Sequence, residues 1–403
     1  MAGKSAPIAY LTGEYPALSH TFILREIAAL RAEGREVLTC SIRRTSGAHV
    51  AGEDEAREAA QTFYVISEAT SPVTLFRALG FGLARPGRLA GALGLAWRTR
   101  PPGLRALVWQ LFYLLEALVL ARHLSDRGAR HLHNHFANSS CSVAMLAAGL
   151  ADIPFSFTLH GPAIFFEPRL WRIDEKIARA KFVACISHFC RSQGMIFADQ
   201  AHWPKMQIVH CGVTPDRYGR GDQPPGQTLV FVGRLAAVKG VAVLLDAMAA
   251  LKDRFPEARL TLIGDGGERA ALERRARDLG LDQSVTFAGA RTQAEVAEAL
   301  RGADIFVLPS FAEGVPVVLM EAMASTLPVI ATRIAGISEL VEEGVSGHLV
   351  PPGSDTALAE AIAALLEDPD ARRRMGAAGR AQVEASFDIA KEAGKIGRLI
   401  DAD

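Results

Sequence analysis

The stretch "TLVFVGRLAAVKGVAVLLDAMAAL", residues 228–251, joins a short apolar run to a longer apolar segment through a turn at Gly233. The short run has the length and the β-branched residues of a buried strand, whereas the segment after Lys239-Gly240 has the length of a helix. The same alternation continues to "SGHLVPPG", residues 346–353. A succession of strand, helix and strand predicts a parallel sheet with helices on both faces.

The first half of the chain shows the same alternation, from "PIAYLTG" through a helical stretch closed by Gly34 to "EVLTCSI". Between the halves, residues 214–227 contain three prolines and three glycines without an apolar period, which is typical of a linker. We therefore predict an α/β protein with two doubly wound, Rossmann-like domains facing a central cleft. The first would span residues 1–213 and the second residues 228–385.

The composition is that of an ordinary globular protein of two-domain size: 403 residues, of which 49% are apolar and 22% charged. The net charge is zero, but residues 1–215 carry 23 Lys and Arg against 16 Asp and Glu, and the remainder 21 against 28. This asymmetry fits an anionic lipid surface or a phosphate-bearing partner, and equally well two unequal solvated surfaces. We expect no nucleic-acid partner.

Cysteine usage and the N-terminus both indicate a cytoplasmic protein. No C-x-x-C pair occurs among the five cysteines, which are Cys40, Cys141, Cys185, Cys190 and Cys211. This pattern argues against a disulfide framework or a zinc site and for a reducing compartment. The N-terminal segment "MAGKSAPIAYLTGEYP" has too short an apolar run for a signal peptide.

Residues 74–105 hold six arginines and no acid, interleaved with Leu, Phe and Trp. The next stretch, "ALVWQLFYLLEALVLA", residues 106–121, is interrupted only by Gln110 and Glu116 and is shorter than the roughly 20 residues that span a bilayer. Two interpretations stay open. These helices either lie on anionic lipid, as a peripheral protein on the inner face of the cell membrane, or cover the sheet of the first domain.

Open α/β sheets bind ligands outside the carboxyl ends of their strands, and suitable residues stand at those predicted positions. Gly233, Arg234 and Lys239 precede a helix, so backbone N–H groups, the helix dipole and two cations together suit a diphosphate. Gly264 in "LIGDGGE" ends the next strand, where tight packing and close ligand approach are equally good explanations. Arg291, in the turn after a further strand, is a candidate for contacting a nucleobase.

Two glutamates flank the start of a predicted helix in "FAEGVPVVLMEAMA", residues 311–324. Glu313 lies in the loop after a buried strand, and Glu321 lies one to two turns into the helix. The amides of Gly314 and Val315 would face an anion or a sugar, and both carboxylates could accept hydrogen bonds from hydroxyls. Glu321 has no structural partner evident in the sequence, although glutamate is also an ordinary helix former.

At these residues the chain resembles the retaining glycosyltransferases of family four, which have the GT-B fold. The segments "FVGRLAAVKG", "LIGDG" and "EGVPVVLMEAMA" stand in the family's order and spacing. The resemblance implies glycosyl transfer with retention at the anomeric carbon, in which the departing diphosphate helps to deprotonate the acceptor hydroxyl. It implies neither a cofactor nor a metal ion. The two D-x-D matches, residues 368–370 and 401–403, do not stand at predicted strand ends.

The resemblance also implies individual donor contacts in the second domain. Arg234 and Lys239 would hold the diphosphate of a nucleotide sugar, Glu321 its ribose hydroxyls, and Glu313 the hydroxyls of the transferred sugar. The remaining donor-side residues would be Gly233, Gly264, Arg291, Gly314 and the backbone amides of Val315 and Val317. Pro316 departs from the glycine more usual at its position and removes an N–H donor.

In the first domain, the resemblance places His160 of "FTLHG" near the reacting sugar, where a ring nitrogen could donate to or accept from a hydroxyl. With Glu313, it completes the pair of candidate catalytic residues. The histidines of "HLHNHFA", His133 and His135, are competing candidates, or polar groups that are satisfied structurally.

The loop "YPALSHTFI", residues 15–23, resembles a branch of the family that builds bacterial exopolysaccharides such as colanic acid. There it would line the acceptor side, with Gly13, Ser19, His20 and Thr21 as candidates. Helix capping by Ser19 is an alternative explanation for the same residues.

The expected substrates are a nucleotide sugar and a lipid-linked oligosaccharide or other saccharide acceptor. Three alternatives remain: a sugar-nucleotide epimerase of the same fold, a non-catalytic membrane-associated scaffold, and a soluble transferase that makes a storage polymer or a small glycoside. The scaffold would have no need of Glu313 and Glu321 together with the two cations. By the resemblance, the final helix, within residues 386–403, crosses back to the first domain.

Overall fold

The computed structural model describes residues 6–17, 21–45, 53–219, 221 and 226–402. The chain divides into two compact units, one formed by Met1–His210 with Glu392–Asp403 and the other by Cys211–Lys391. Each unit contains one sheet in which every strand pairing is parallel. The prediction of two parallel-sheet α/β domains is confirmed.

The first unit has a seven-stranded sheet: β1 (Ile8–Glu14), β2 (Val37–Arg43), β3 (Phe63–Tyr64), β4 (His131–His135), β5 (Phe155–Leu159), β6 (Val183–Cys185) and β7 (Met206–Ile208). The spatial order is β3-β2-β1-β4-β5-β6-β7. The order reverses between β1 and β4, and the carboxyl ends of these two strands are where a doubly wound sheet binds ligands.

The helices of the first unit are α1 (Thr21–Ala32), α2 (Glu53–Gln61), α3 (Val65–Ala69), α4 (Pro72–Leu83), α5 (Pro86–Thr99), α6 (Leu104–Asp126), α7 (Ser139–Ala151), α8 (Ile173–Arg179) and α9 (His188–Phe197). The local sequence explains where several of these helices begin. Ser71 caps α4 through the amide of Thr74, and α4 and α5 each have a proline in the first turn. Asn138 caps α7 through the amide of Ser140.

The last helix, α17 (Ile389–Asp401), contributes to the core of the first unit. Ala393, Ile396 and Ile400 pack in one cluster with residues of β1 and α1, among them Ile8 and Ile23. The boundaries of the two units fall after His210 and after Lys391, whereas the sequence predicted domain ends after residues 213 and 385. All five cysteines are buried as free thiols.

Helix α6 runs for 23 residues and is longer than the apolar stretch 106–121 suggested. By length and composition alone it could cross a membrane, but 39% of its most apolar window is buried inside the unit. Residues 117–121 in its C-terminal half, which include Leu118, Val119 and Leu120, are buried. Such burial is typical of a helix that packs on a domain core.

The second unit has a six-stranded sheet: β8 (Thr228–Val232), β9 (Arg259–Ile263), β10 (Val285–Gly289), β11 (Ile305–Leu308), β12 (Val329–Thr332) and β13 (Gly347–Val350). Its order is β10-β9-β8-β11-β12-β13, so the reversal lies between β8 and β11. The helices are α10 (Val241–Leu251), α11 (Arg269–Asp278), α12 (Gln293–Arg301), α13 (Val317–Ala324), α14 (Ile337–Leu340), α15 (Asp355–Glu367) and α16 (Pro369–Ser386).

The segment predicted as a linker, residues 214–227, belongs in its described part to the second unit. One guanidinium nitrogen of Arg380 donates to the carbonyl oxygens of Pro215 and Tyr218, each at 2.9 Å, and to that of Ala324 at 2.6 Å. These contacts hold the segment against α16 and α13. These contacts could not be predicted from the sequence, because Arg380 lies 162 residues beyond Tyr218.

Candidate functional site

The carboxyl ends of β8 and β9 pack directly on each other at two glycines. The amide of Gly233 donates to the carbonyl of Ile263 at 2.9 Å. Gly264 has φ +135°, and a Cβ atom there would lie 1.9 Å from the carbonyl oxygen of Gly233. Only glycine fits such an approach. The sequence left packing and ligand approach open, and the structure shows that packing alone requires Gly264.

Lys239 and Glu313 meet at the reversal point between β8 and β11. The Nζ atom of Lys239 lies 2.5 Å from Oε1 of Glu313, and the hydroxyl of Ser310 donates to the same oxygen at 2.7 Å. A Cβ atom at Gly240 would lie 2.1 Å from the carbonyl oxygen of Pro309, so the two loops are in backbone contact. The two side chains, which were separate candidates in the sequence, form one charged pair at the edge where doubly wound sheets bind ligands.

The two candidate arginines of the second unit differ in position. Arg234 directly follows the Gly233 turn and is exposed. Arg291 follows β10, an edge strand two places from the reversal point, and its guanidinium pairs with Glu295 at 3.1 Å. Glu295 also completes the capping box of α12 with Thr292. The position of Arg234 suits a diphosphate, whereas Arg291 is engaged at the surface near the sheet edge.

Glu321 is 4% exposed and lies in the second turn of α13. Its Oε1 atom accepts a hydrogen bond from the hydroxyl of Tyr218 at 3.0 Å. The expectation that Glu321 has no structural partner is therefore wrong, because Tyr218 lies 103 residues away in the segment interpreted as a linker. The tyrosine orients the carboxylate at the buried side of the helix.

The loop before α13 is held by the segment that follows the neighbouring strand β12. The amide of Gly336, after β12, donates to the carbonyl of Gly314 at 3.2 Å. Val315 is buried, Pro316 occupies the N-cap position with φ −70°, and Val317 is the first helical residue. The helix therefore begins directly after the candidate loop, as the sequence predicts.

His160 directly follows β5 and is part of a buried chain of polar side chains in the first unit. Its Nε2 atom lies 3.0 Å from Nδ1 of His135, the last residue of the adjacent strand β4. His135 Nε2 in turn lies 3.4 Å from a carboxylate oxygen of Glu26, which accepts the hydroxyl of Tyr10 at 2.8 Å. A carboxylate beside Nε2 favours the proton there, so that Nδ1 accepts from His160.

His133 is satisfied by strand neighbours instead. Its two ring nitrogens lie 2.7 Å from the hydroxyl of Ser156 and 2.9 Å from that of Thr158. Ligand atoms of Glu26, His133 and His135 fall within 4.8 Å of one another, a spacing that a metal ion could bridge. Since hydroxyls engage both nitrogens of His133, we interpret the cluster as a hydrogen-bond network. Burial lowers the pKa of His133 and raises that of Glu26.

A pocket of about 410 Å³ opens at the reversal point of the first sheet, between the carboxyl ends of β1 and β4; we call it the reversal-point pocket. It is lined by Gly13, Glu14, Ile42, Arg43, Trp109, Tyr113, Glu116, Phe136, Asn138 and Ser139. Burial raises the pKa of Glu116 to about 7, opposed by the charge of Arg43. This carboxyl can therefore either donate or accept a hydrogen bond near neutral pH.

Of the four acceptor-side candidates, the structure describes Gly13 and Thr21. Gly13 lines the reversal-point pocket, and Thr21 is the half-buried first residue of α1. Ser19 and His20 lie outside the described residues. Glu116 and Tyr113 were not selected from the sequence. The signal for Glu116 was its position as the only acid in the apolar stretch of α6.

The outer faces of α4, α5 and α6 form an apolar helical surface. Its exposed side chains are Val73, Phe76, Leu79, Leu83, Leu93, Trp97, Leu104, Val108, Trp109, Leu111 and Phe112. The most exposed of these side chains are Leu104 at 83% and Phe76 at 79%. The guanidinium groups of Arg85 and Arg100 stack on Phe81 and Trp97. The inner faces of these helices therefore pack on the first unit, and their outer faces expose a large apolar patch.

Comparison with known proteins gives consistent matches. The family described as glycosyl transferases group 1 matches residues 220–382. The phosphatidyl-myo-inositol mannosyltransferase of Mycobacterium leprae is 35% identical over 293 residues, which cover 70% of this chain and 75% of that protein. The amylovoran biosynthesis glycosyltransferase AmsK of Erwinia amylovora is 35% identical over 192 residues, 45% of this chain and 47% of AmsK. For two further relatives the chain spans only 37% and 41% of their length.

Among solved structures, Anabaena Alr3699/HepE in complex with UDP and glucose matches with a TM-score of 0.74. The sequences are 19% identical, and the match covers 99% of this chain and all of the other. At this identity the likeness concerns the fold.

Proposed function

Because the chain belongs to the group 1 glycosyltransferases, which have the GT-B fold, we propose that it moves a sugar from a nucleotide-diphosphate sugar to a saccharide acceptor. The match to the mannosyltransferase covers three quarters of that protein, and its 293 residues exceed the length of either unit, so it includes parts of both. We extend the proposal to retention at the anomeric carbon and to a reaction without a metal ion or other cofactor. The acceptor would be a lipid-linked saccharide in the synthesis of a bacterial exopolysaccharide or other surface glycan.

The observation that carries this proposal is the Lys239–Glu313 pair at the reversal point of the second sheet. A donor diphosphate placed over the Gly233 turn would lie beside the Lys239 ammonium and the exposed Arg234. Glu313 would then accept hydrogen bonds from the hydroxyls of the transferred sugar. The complex of HepE with UDP and glucose gives independent support for a nucleotide and a sugar as ligands of this fold.

In the proposed reaction, the bond between the anomeric carbon and the diphosphate oxygen breaks while the acceptor oxygen bonds to the same face of that carbon. The acceptor proton passes to the departing diphosphate. Lys239 and Arg234 would offset the negative charge that develops on the leaving group, and Lys239 is held in place beforehand by Glu313, which lowers the barrier. His160 would hydrogen-bond a hydroxyl of the reacting sugar.

Three observations support a membrane-linked acceptor. The apolar helical surface of α4–α6 carries basic residues, the reversal-point pocket has a volume of about 410 Å³, and AmsK is named for the biosynthesis of amylovoran. We therefore propose that the protein is cytoplasmic and peripheral on the inner face of the cell membrane. Basic and apolar side chains together bind anionic lipid surfaces.

The side-chain contacts that link His160 through His135 to Glu26 predict that a substitution at Glu26 changes the reaction rate. Glu26→Gln removes the charge that orients His135 and hence His160. Loss of this buried electrostatic contact, on the order of 1.5 kcal/mol, would lower kcat roughly tenfold. The KM for the nucleotide sugar should stay within about twofold of the wild-type value, because the substitution removes no contact to the donor. Steady-state kinetics measure both.

The matched control is Glu33→Gln, an exposed glutamate just beyond the same helix. An unchanged kcat for Glu26→Gln would show that His160 does not depend on the buried chain. An equal rise in KM and fall in kcat for both variants would indicate a general loss of structure instead.

The proposed function is tested by incubating the protein with UDP-, GDP- and ADP-sugars and measuring release of the nucleoside diphosphate, with and without membrane lipid extract. We expect one donor class to support release, and release to rise when lipid extract supplies the acceptor. Interconversion of the sugar nucleotide without release would favour an epimerase. Absence of both binding and turnover would favour a scaffold.

A further inference from the structure

A second pocket, of about 430 Å³, lies in the first unit between α6, α7 and the segment that leads into α8; we call it the α6–α8 pocket. Apolar and aromatic side chains form most of its wall, among them Ala106, Trp109, Met145, Leu170 and Trp171. Trp109 and Tyr113 line both this pocket and the reversal-point pocket, so the two adjoin. Its volume is sufficient for a drug-sized ligand.

Lys176 lines the same pocket and is fully buried. Its ammonium donates to the carbonyl oxygens of Ala137 and Asn138 at 2.7 and 2.9 Å, which uses two of its three N–H groups. Within the described part of the chain, no carboxylate lies within ion-pair distance of it, and Asp174 pairs with Arg172 instead. A buried cation without an anion is costly, and burial lowers the pKa of Lys176 to about 8.

Two further cations line the wall. Arg105 is exposed in the first turn of α6, and Arg172 precedes α8. The same first turns of α6 expose Leu104 and Val108, which belong to the apolar helical surface. The pocket thus combines an apolar interior, a buried positive charge and continuity with an exposed apolar face. A ligand that satisfies all three carries an anion directly next to an apolar chain.

We propose that the α6–α8 pocket binds a lipid phosphate. Its phosphate would lie at the exposed Arg105, where a charge-assisted hydrogen bond is available, and would be attracted by the positive charge of Lys176 that is buried in the same pocket wall. The first carbons of its chain would lie between Trp109 and Trp171. The inference rests on the proposed function in one respect, that this lipid carries the acceptor saccharide into the adjoining reversal-point pocket. Binding of the lipid itself needs no turnover.

The test is binding of farnesyl phosphate, below its micelle concentration, followed by tryptophan fluorescence because Trp109 and Trp171 line the pocket. Farnesol and inorganic phosphate are the comparison ligands. We expect farnesyl phosphate to bind at least about tenfold more tightly than either, since a charged hydrogen bond contributes about 1.5 kcal/mol or more.

Two variants probe the pocket without removing the buried lysine. Ala106→Phe fills the apolar wall, and Arg105→Gln removes an exposed cation. Each should weaken farnesyl phosphate binding about tenfold, whereas Ala90→Phe, on an exposed site of α5, should leave it unchanged. Lys176→Met should reduce the preference for farnesyl phosphate over farnesol, provided that circular dichroism shows a folded chain.

A second arm replaces farnesyl phosphate with dihexanoyl phosphatidylinositol. Tighter binding of the latter identifies a glycerophospholipid as the source of the lipid phosphate, and tighter binding of the former identifies a prenyl phosphate. Equal affinity for farnesol and farnesyl phosphate, or unchanged binding to Ala106→Phe, would overturn the inference. Donor turnover is measured in the same preparations. Lipid binding without turnover in the presence of lipid extract would therefore count against the proposed function alone.

Discussion

Lys239→Met should lower kcat about a hundredfold for whichever nucleotide sugar the protein uses. The substitution keeps the apolar stem of the side chain and removes only the ammonium, which lies 2.5 Å from Glu313 at the reversal point of the second sheet. A preorganised cation that faces the departing diphosphate contributes about 3 kcal/mol to the transition state, and this corresponds to roughly a hundredfold in rate. Steady-state release of nucleoside diphosphate measures the effect.

The control for this variant is Lys252→Met, at the opposite end of α10, where the lysine donates to the carbonyl of Leu279 at the surface. It should have wild-type kinetics. Glu313 keeps the hydroxyl of Ser310 in the Lys239 variant, so we expect the unfolding midpoint in denaturant to change little. A Lys239→Met protein with full turnover would show that the diphosphate binds elsewhere.

Gly264→Ala disrupts the packing beneath the proposed donor site. The added Cβ atom would lie 1.9 Å from the carbonyl oxygen of Gly233, and the φ angle of +135° is unfavourable for alanine. Backbone strain and overpacking together cost about 4 kcal/mol, which lowers the melting temperature of a domain this size by roughly 10 °C. Donor binding should fall with it, because Gly233 must move.

Gly267→Ala is the matched control in the same turn, since a Cβ atom there would meet no atom within 4 Å. Its melting temperature should stay within about 1 °C of wild type, as for other exposed substitutions. Thermal unfolding followed by circular dichroism compares the two variants directly. Equal melting temperatures for both would mean that the β8–β9 contact is looser than described.

The positions of the proposed donor-side residues could be predicted from the sequence because these residues are local to strand ends. Gly233, Lys239 and Glu313 each follow an apolar run that is recognisable as a buried strand, and parallel strands bring their carboxyl ends to one edge. The Tyr218–Glu321 bond could not be predicted, because it joins residues 103 positions apart through a segment whose prolines and glycines indicated a linker.

The first unit was less predictable because its polar chain depends on strand register. His135 and His160 meet only because β4 and β5 are adjacent and aligned so that His135 faces Thr158. Nothing in a single sequence fixes that alignment. Likewise, Glu116 and Gln110 were visible as interruptions of an apolar helix, but the two pockets that they line are formed by residues from several other elements.

The most direct test of the central claim is nucleoside diphosphate release from the preferred nucleotide sugar by wild type and by Glu321→Ala. The control is Glu360→Ala, an exposed glutamate on α15. Glycosyl transfer with the donor in the second unit predicts release by wild type and Glu360→Ala, and a loss of at least about tenfold for Glu321→Ala, the expected cost of a charged contact to the ribose. Equal release by all three proteins, or conversion of the donor without release, would contradict it.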